Sequence, residues 1–360
     1  MLSAKTFYKI LPGINKIAVV RVNGLGDYLF IIPALYALRA AYPEAEIVLL
    51  GKEWHVEFLT SRPGPVNRVI VVPPVSGVGT PPGSVEDMEQ NEQFFRQMRR
   101  EKFDLAIQMH GGGRYSNPFT ARLGARTTLG LRTLDAPPLD LWIPYIMYQS
   151  EVLRYLELVS LVGAPVVTVE PTITVMPSDI EESYRVVAET EHPLVAIHPG
   201  GTDPRRHWPT QRFAVVGDAL AAAGASVVVI GTEDEGYLVR SVIAHMKYPA
   251  QDLSGKLSIN GLTGLLARCV LLIANDADPR HLAEAVGTAT VSIYWCGNLI
   301  TTGPMRRTRH RPLIAWQIHC PICGIDVQHD QCEHRASFVA TVPTEDVLEQ
   351  ALDLFTMYGE

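Results

Sequence analysis

The stretch KIAVVRVNGLGDYLFIIPALYALRAAYP, residues 16–43, decides the fold. Residues 16–22 are apolar and β-branched almost throughout, the pattern of a strand buried on both faces of a parallel sheet. A glycine-rich turn follows, Asn23-Gly24-Leu25-Gly26-Asp27, and then a helical pattern that ends before Pro43. Strand, glycine turn and helix in succession open a βα unit. Working outward, EIVLLG (46–51), VNRVIVV (66–72) and DLAIQMH (104–110) read as further strands, the last running into Gly111-Gly112-Gly113.

The pattern then restarts. LVAIHPGG (194–201) is again an apolar strand entering glycines. Behind it come the helix 210–224, the strand ASVVVIG (225–231), helices 233–246 and 259–269, the strand VLLIAND (270–276), the helix 279–287 and the strand TATVSIYW (288–295). Two α/β units in tandem are predicted, the first over 1–170 and the second over 171–342. The proline-rich, β-branched segment 163–179 serves as the linker region. The final stretch, 343–360, is an amphipathic helix with acidic residues near its start, expected to cross back onto the first lobe. PPVSGVGTPPGS (73–84) is too rich in proline and glycine for regular structure. It reads either as a disordered surface loop or as a lid or acceptor-recognition loop of the first lobe.

Composition narrows the function. The chain has 360 residues, with 31 Lys plus Arg against 38 Asp plus Glu, a formal charge of −7. That balance argues against a general nucleic-acid binder, which needs a basic surface. With 47% hydrophobic and 19% charged residues, the chain buries a real core. No apolar run approaches the length of a membrane span. The opening residues 1–16 lack the apolar core and cleavage site of a secretory signal, so a cytoplasmic location is expected, including the cytoplasmic face of a membrane. Five cysteines do not make a disulfide scaffold.

Open parallel sheets bind ligands at the carboxyl ends of their strands, beside helix N-termini. Three such ends carry chemistry here. Gly24 and Gly26 permit close backbone approach, and Asp27 is either a helix cap or a general base at the mouth of the crevice. Leu29 stands where a dinucleotide fingerprint requires its third glycine. HPGGTDPRRHWP (198–209) sets Gly200 and Gly201 before Arg205 and Arg206, a phosphate-binding combination of guanidinium and free amide groups. NDADPRHLAEA (275–285) ends a strand at Asp276 and opens a helix with Asp278 as its expected N-cap, Pro279, Arg280 and His281.

In this order and spacing the three signatures resemble glycosyltransferase family 9, the ADP-heptose:lipopolysaccharide heptosyltransferases. Gly26-Asp27 followed by Pro33-Ala34-Leu35-Tyr36-Ala37-Leu38 is similar to the family's opening. Arg206-His207-Trp208-Pro209 is similar to the start of its second lobe, with arginine where the family has a lysine. Residues 252–276 are similar to the approach to its donor motif, and the resemblance runs from about residue 16 to residue 295. It implies a GT-B fold, two Rossmann-like lobes with parallel sheets facing a central cleft, the first taking the acceptor and the second the nucleotide-sugar donor. It implies an inverting, metal-independent transfer of a sugar, most readily heptose, from an ADP-sugar to a glycan or glycolipid acceptor such as lipopolysaccharide core. Another nucleotide sugar, an epimerase, or a non-catalytic nucleotide-sugar binder are the competing readings.

By the resemblance Asp27 is the catalytic base, and Arg206, Asp276 and His281 contact the donor. Gly200, Gly201, Arg205, Gly231, Asp278 and Arg280 complete the expected donor set. Gly24, Gly26, His110 and Arg114 form the expected acceptor set. Ala277 and Asp278 stand where the family reads Ser or Thr and then Gly. No cofactor is expected for the chemistry, and the expected partners are a nucleotide-sugar donor and a glycan acceptor, with no nucleic acid and with peripheral contact at the inner membrane.

Two features remain. HCPICGIDVQHDQCEH (319–334) spaces Cys320, Cys323, Cys332 and His334 as a structural zinc site would, with His319 and His329 as competing ligands. Reduced or disulfide-bonded cysteines on a loop are the alternative. MRRTRHRP (305–312) carries four arginines in six residues. It reads as a solvated face, or as a contact for a phosphorylated acceptor or an anionic membrane.

Overall fold

The computed structural model describes residues 9–327, 330 and 332–359. The chain divides into two compact units between Pro171 and Thr172.

The first unit contains six strands: β1 (Lys16–Val20), β2 (Glu46–Gly51), β3 (Arg68–Val71), β4 (Leu105–Gln108), β5 (Thr127–Arg132) and β6 (Leu141–Pro144). Its helices are α1 (Leu25–Ala41), α2 (Glu53–Leu59), α3 (Met88–Glu101), α4 (Ser116–Arg122) and α5 (Glu151–Ser160). All strand pairs are parallel, in the order β3-β2-β1-β4-β5-β6. Central strand β1 has no exposed residue from Ile17 to Val20, as its unbroken apolar run requires when helices cover both faces.

The second unit opens with α6 (Pro177–Val186) and continues with β7 (Leu194–His198), α7 (Thr210–Ala222), β8 (Ser226–Val229), α8 (Gly236–His245) and β9 (Ala250–Asp252). Then follow α9 (Ile259–Arg268), β10 (Cys269–Asn275), α10 (Asp278–Val286), β11 (Ala289–Trp295), α11 (Cys296–Thr302), β12 (His310–Ala315) and α12 (Thr344–Tyr358). The sheet is again parallel, ordered β12-β11-β10-β7-β8-β9. Read in chain order, the two sheets have the same winding. The direction reverses between β1 and β4 in the first unit and between β7 and β10 in the second. These reversals open the crevices where such sheets take their ligands.

Two expectations need correction. The terminal helix α12 does not cross back. Val347, Ala351, Leu354 and Phe355 bury against α7 and the strands β10 to β12, inside the core of the second unit. Its apolar stripe is satisfied there, since β10 and β11 need a helix on that face. The arginine-rich run is divided: Arg306 and Arg307 are exposed, as a solvated face would be, whereas Arg309 and Arg311 are engaged by α12. Arg311 pairs with Asp353 (2.9 Å) and donates to Gln350 (2.7 Å), and Arg309 lies over the Tyr358 ring, all on α12. The run 73–84 has no regular element, yet it is folded. Val75 and Val78 enter the core, and the Ser76 amide donates to Glu86 (3.2 Å).

Candidate functional site

In the first unit the site forms where β1 hands over to α1. Gly24 is the N-cap of α1, and Asp27 stands in its first turn. Asp27 keeps 43% of its side chain exposed, so its carboxylate is accessible, while the Arg21 guanidinium beneath it is buried. Arg21 donates to the Asp27 carboxylate (2.7 Å) and to the Asp27 carbonyl (2.9 Å). Its other nitrogen donates to the Met109 carbonyl and the Tyr155 hydroxyl, both at 2.6 Å. A buried cation thus aims one carboxylate oxygen and leaves the group open to solvent. Sequence reading passed over Arg21, although a charged residue inside an otherwise apolar central strand was the available signal.

His110, just past β4, stands on the other side of the same reversal. The Val22 amide donates to its Nδ1 (3.3 Å). Burial, with Arg21 nearby, pushes its pKa down to about 4, so it is a neutral imidazole at physiological pH. Arg114 does not join this group. It stands on the surface against Asp135 (3.6 Å) and the Tyr115 ring. Near the ends of β1 to β3 the unit holds a cavity of about 680 Å³, lined among others by Lys52, Trp54, Pro73, Thr80, Gln90 and Gln97. The folded 73–84 loop is one of its walls.

In the second unit Gly200, Gly201 and Gly231 gather around one carboxylate, that of Glu235. It accepts from the amides of Gly201 and Thr232 (both 2.8 Å) and pairs with His198 (3.4 Å). These contacts outweigh its burial and hold its pKa at about 2. A Cβ on Gly200 would lie 2.2 Å from Glu235, which explains glycine there. Sequence reading missed Glu235; an acid one residue before a helix, after a strand ending in glycine, was the clue.

Asp276 is a hub. Its buried carboxylate accepts from Asn298 (2.7 Å), Arg280 (3.2 Å), Thr302 (3.3 Å) and Arg206 (3.4 Å), with His281 Nε2 at 3.5 Å. These partners hold it well below the usual carboxylate range despite burial. Asp276 therefore positions Arg206, His281 and Asn298, and its own oxygens are already engaged.

The expected donor residues separate into two groups. Arg206 keeps 25% of its side chain exposed, whereas Arg280 is fully buried between Asp276 and Glu284, beneath the Tyr294 ring. The two flanking carboxylates neutralise Arg280 inside the unit, so it is unavailable to a phosphate. Asp278 is the first residue of α10, and the N-cap is Ala277, with no side-chain cap bond. Arg205 grips Asp203 through two nitrogens (3.0 and 2.7 Å) and lies over the Phe338 ring. The Trp208-Pro209 signature is a packing device. Trp208 is buried, its amide donates to Asn275 (3.0 Å), and its ring N–H donates to the Val342 carbonyl (3.0 Å).

Cys320, Cys323, Cys332 and His334 each offer a ligand atom, and these atoms lie within 4.8 Å of one another. His319 joins the turn through its backbone, bridged to Asp326. His329 lies outside the described residues.

Two doubly wound parallel units, each with polar groups at its point of reversal, are the architecture of the GT-B fold. Residues 92–321 match the sequence model of glycosyltransferase family 9 (heptosyltransferase), more than half of the chain, and the chain belongs to that family. It is 24% identical over 301 residues to lipopolysaccharide heptosyltransferase 2 of Escherichia coli (strain K12), covering 78% of this chain and 82% of the relative. It is 22% identical over 297 residues to lipooligosaccharide heptosyltransferase 2 of Haemophilus influenzae, covering 77% and 82%. Among solved structures, the glycosyl transferase family 9 protein from Veillonella parvula shares the fold with a TM-score of 0.76 at 21% identity, over 95% of this chain and 97% of that one. The E. coli ADP-heptose lps heptosyltransferase II shares it with a TM-score of 0.72 at 18% identity, over 96% and 99%.

Proposed function

We propose that this transferase moves a heptose-type sugar from a nucleotide-diphosphate donor, with ADP the favoured nucleotide, to a hydroxyl of a glycan or glycolipid such as lipopolysaccharide core. The observation that carries the reading is the Arg21–Asp27 pair: a buried guanidinium holding an exposed carboxylate at the start of α1. In the reaction Asp27 removes the proton of the acceptor hydroxyl, and that oxygen attacks the anomeric carbon. The bond to the diphosphate breaks on the opposite face, its electron pair leaves with the phosphate, and the configuration inverts. Arg206 stabilises the departing charge, with His281 held beside it by Asp276. This division of labour gives no step to a metal ion.

The first unit is proposed to take the acceptor. Its cavity places Trp54 and the amides of Gln90 and Gln97 together with Lys52, a surface suited to sugar hydroxyls and an anionic substituent. A glycolipid acceptor would place the work at the cytoplasmic face of the inner membrane. No helix among the described residues is long and apolar enough to cross a membrane, so that contact would be peripheral.

The test is transfer from ADP-heptose to heptose-deficient lipopolysaccharide core, with ADP affinity measured separately. Transfer by the native chain and its loss in Asp27→Asn support the reading. ADP binding without transfer to any core acceptor would instead favour a nucleotide-sugar binder. Ala277 and Asp278, at the start of α10, are the residues that favour that second reading.

A further inference from the structure

The segment between β12 and α12 is tied down at two levels. First, residues 318–327 form a closed turn. The Cys320 amide donates to the Ile325 carbonyl (2.9 Å), the Gly324 amide to the Cys320 carbonyl (2.9 Å), and the Val327 amide to the Ile318 carbonyl (3.0 Å). Gly324 takes the left-handed conformation that reverses the chain (φ +74°). This turn presents Cys320 and Cys323 side by side, and Cys332 and His334 return to meet them. Three thiolates and an imidazole make a full tetrahedral set for a soft or borderline divalent ion and leave no open coordination position.

Second, the residues that follow His334 are laced to the turn that carries Arg205 and Arg206. Ser337 Oγ donates to the His207 carbonyl (2.6 Å), and the Phe338 amide donates to the Arg205 carbonyl (2.6 Å). The Phe338 ring lies under the Arg205 guanidinium. Further along, Arg212 donates to the carbonyls of Ala340 (2.7 Å) and Val342 (2.9 Å). Residues 335–342 are thus a strap with one end at the four-ligand cluster and the other in the core, where Val339 and Val342 are buried.

We propose that Cys320, Cys323, Cys332 and His334 bind one divalent zinc or ferrous ion, and that this ion fixes the strap and through it the backbone of the Arg205–His207 turn. The ion is structural and takes part in no chemical step. Binding replaces the thiol protons, which leave to solvent, with four bonds to the metal. Without it only the hydrogen bonds of a long loop hold the strap's first end, and the turn above it loosens. The metal-site part stands on geometry alone; the consequence for donor binding rests on the proposed function.

The test uses the full chain, expressed with zinc and iron both supplied and purified without chelator. Elemental analysis should find about one equivalent of zinc or iron per chain, and the ratio of the two identifies the ion. Cys323→Ser/Cys332→Ser should lose it. Amide hydrogen exchange should then rise roughly tenfold over residues 205–207, while peptides from β1 and β2 stay unchanged. Ser337→Ala cuts the strap downstream of the cluster. It should keep the full metal content and still raise exchange at 205–207. Less than about a tenth of an equivalent in native protein, after loading with Zn²⁺ or Fe²⁺ in turn, overturns the site. Unchanged exchange at 205–207 in metal-free protein overturns the strap. Loss of the metal should also weaken ADP binding about fivefold. If ADP binds neither form, the functional reading fails, while metal content and exchange still decide the proposal.

Discussion

A guanidinium as buried as that of Arg21 persists only when its donors are matched, and Asp27 supplies two of the four acceptors. Asp27→Asn keeps the shape and the carbonyl contact but removes the base. Transfer should fall by roughly 10²–10⁴-fold with the ADP dissociation constant nearly unchanged, as kinetics and titration calorimetry would show. Transfer near the native rate would remove Asp27 from the mechanism. At the same scale, buried His55 and half-buried His110 make an acid-sensitive pair. Burial holds His55 at about 3 and His110 at about 4, both below the ordinary histidine value near 6.5. The unfolded chain therefore takes up their protons first as pH falls. Their contribution is complete above about 6.5 and is lost progressively toward 4 and then 3. Glu235, held at about 2, adds a later loss between about 4.5 and 2. Melting temperature should fall steadily from pH about 6.5 downward, and His55→Leu should lower it near neutral pH while flattening the slope, so that the two chains converge in acid. An unaltered slope would show that His55 titrates normally.

At the scale of the element, most inner strands were legible and most edge strands were not, the exceptions being edge strand β3, which was read, and inner strand β5 (TTLGLR), which was missed. β1, β4, β7, β10 and β11 stand out as unbroken apolar runs. β6 (LWIP), β9 (AQD) and β12 (HRPLIA) lie at sheet edges, where short strands and polar residues are the rule, so their composition resembles loop. The start of α10 was misread for another reason. Proline suits more than one position in a first turn, so Pro279 alone could not say whether Ala277 or Asp278 caps the helix. Nor could the spacing of Arg280 reveal that it points inward, because Glu284, one helical turn later, is its second partner. Arg280→Ala would leave buried Asp276 and half-buried Glu284 beside an absent cation, and should cost about 3–5 kcal/mol of stability by denaturant titration. Helix approach yields a further test. α6 and α9 cross so closely that a Cβ on Gly264 would lie 2.0 Å from the Asp179 carbonyl oxygen. Backbone there cannot yield, so Gly264→Ala should destabilise by about 2 kcal/mol or more, whereas Gly224→Ala meets nothing but a strained φ and should cost less.

At the scale of the whole molecule, one winding is used twice with different chemistry at each reversal. The first unit offers an exposed carboxylate, a neutral imidazole and a cavity with amide and indole walls. The second offers a partly exposed arginine anchored on Asp276, beside a glycine turn whose Gly201 amide is bound to Glu235. The second is the unit proposed to take the diphosphate, through Arg206, and that assignment sets the last prediction. ADP at one hundred times its dissociation constant should stabilise the state it binds by about 2.7 kcal/mol. For a unit of this size that corresponds to a rise of roughly 5–10 °C in the midpoint of whichever transition includes residues 172–359. Amide exchange should slow over 200–206, 231–235 and 276–281, with no protection over 21–27 or 105–110. UDP, GDP and CDP at equal concentration should protect the same segments less. Protection confined to 21–27 would place the nucleotide in the first unit and reverse the assignment of donor and acceptor. Equal protection by all four nucleotides would locate recognition in the diphosphate alone, leaving the base unread.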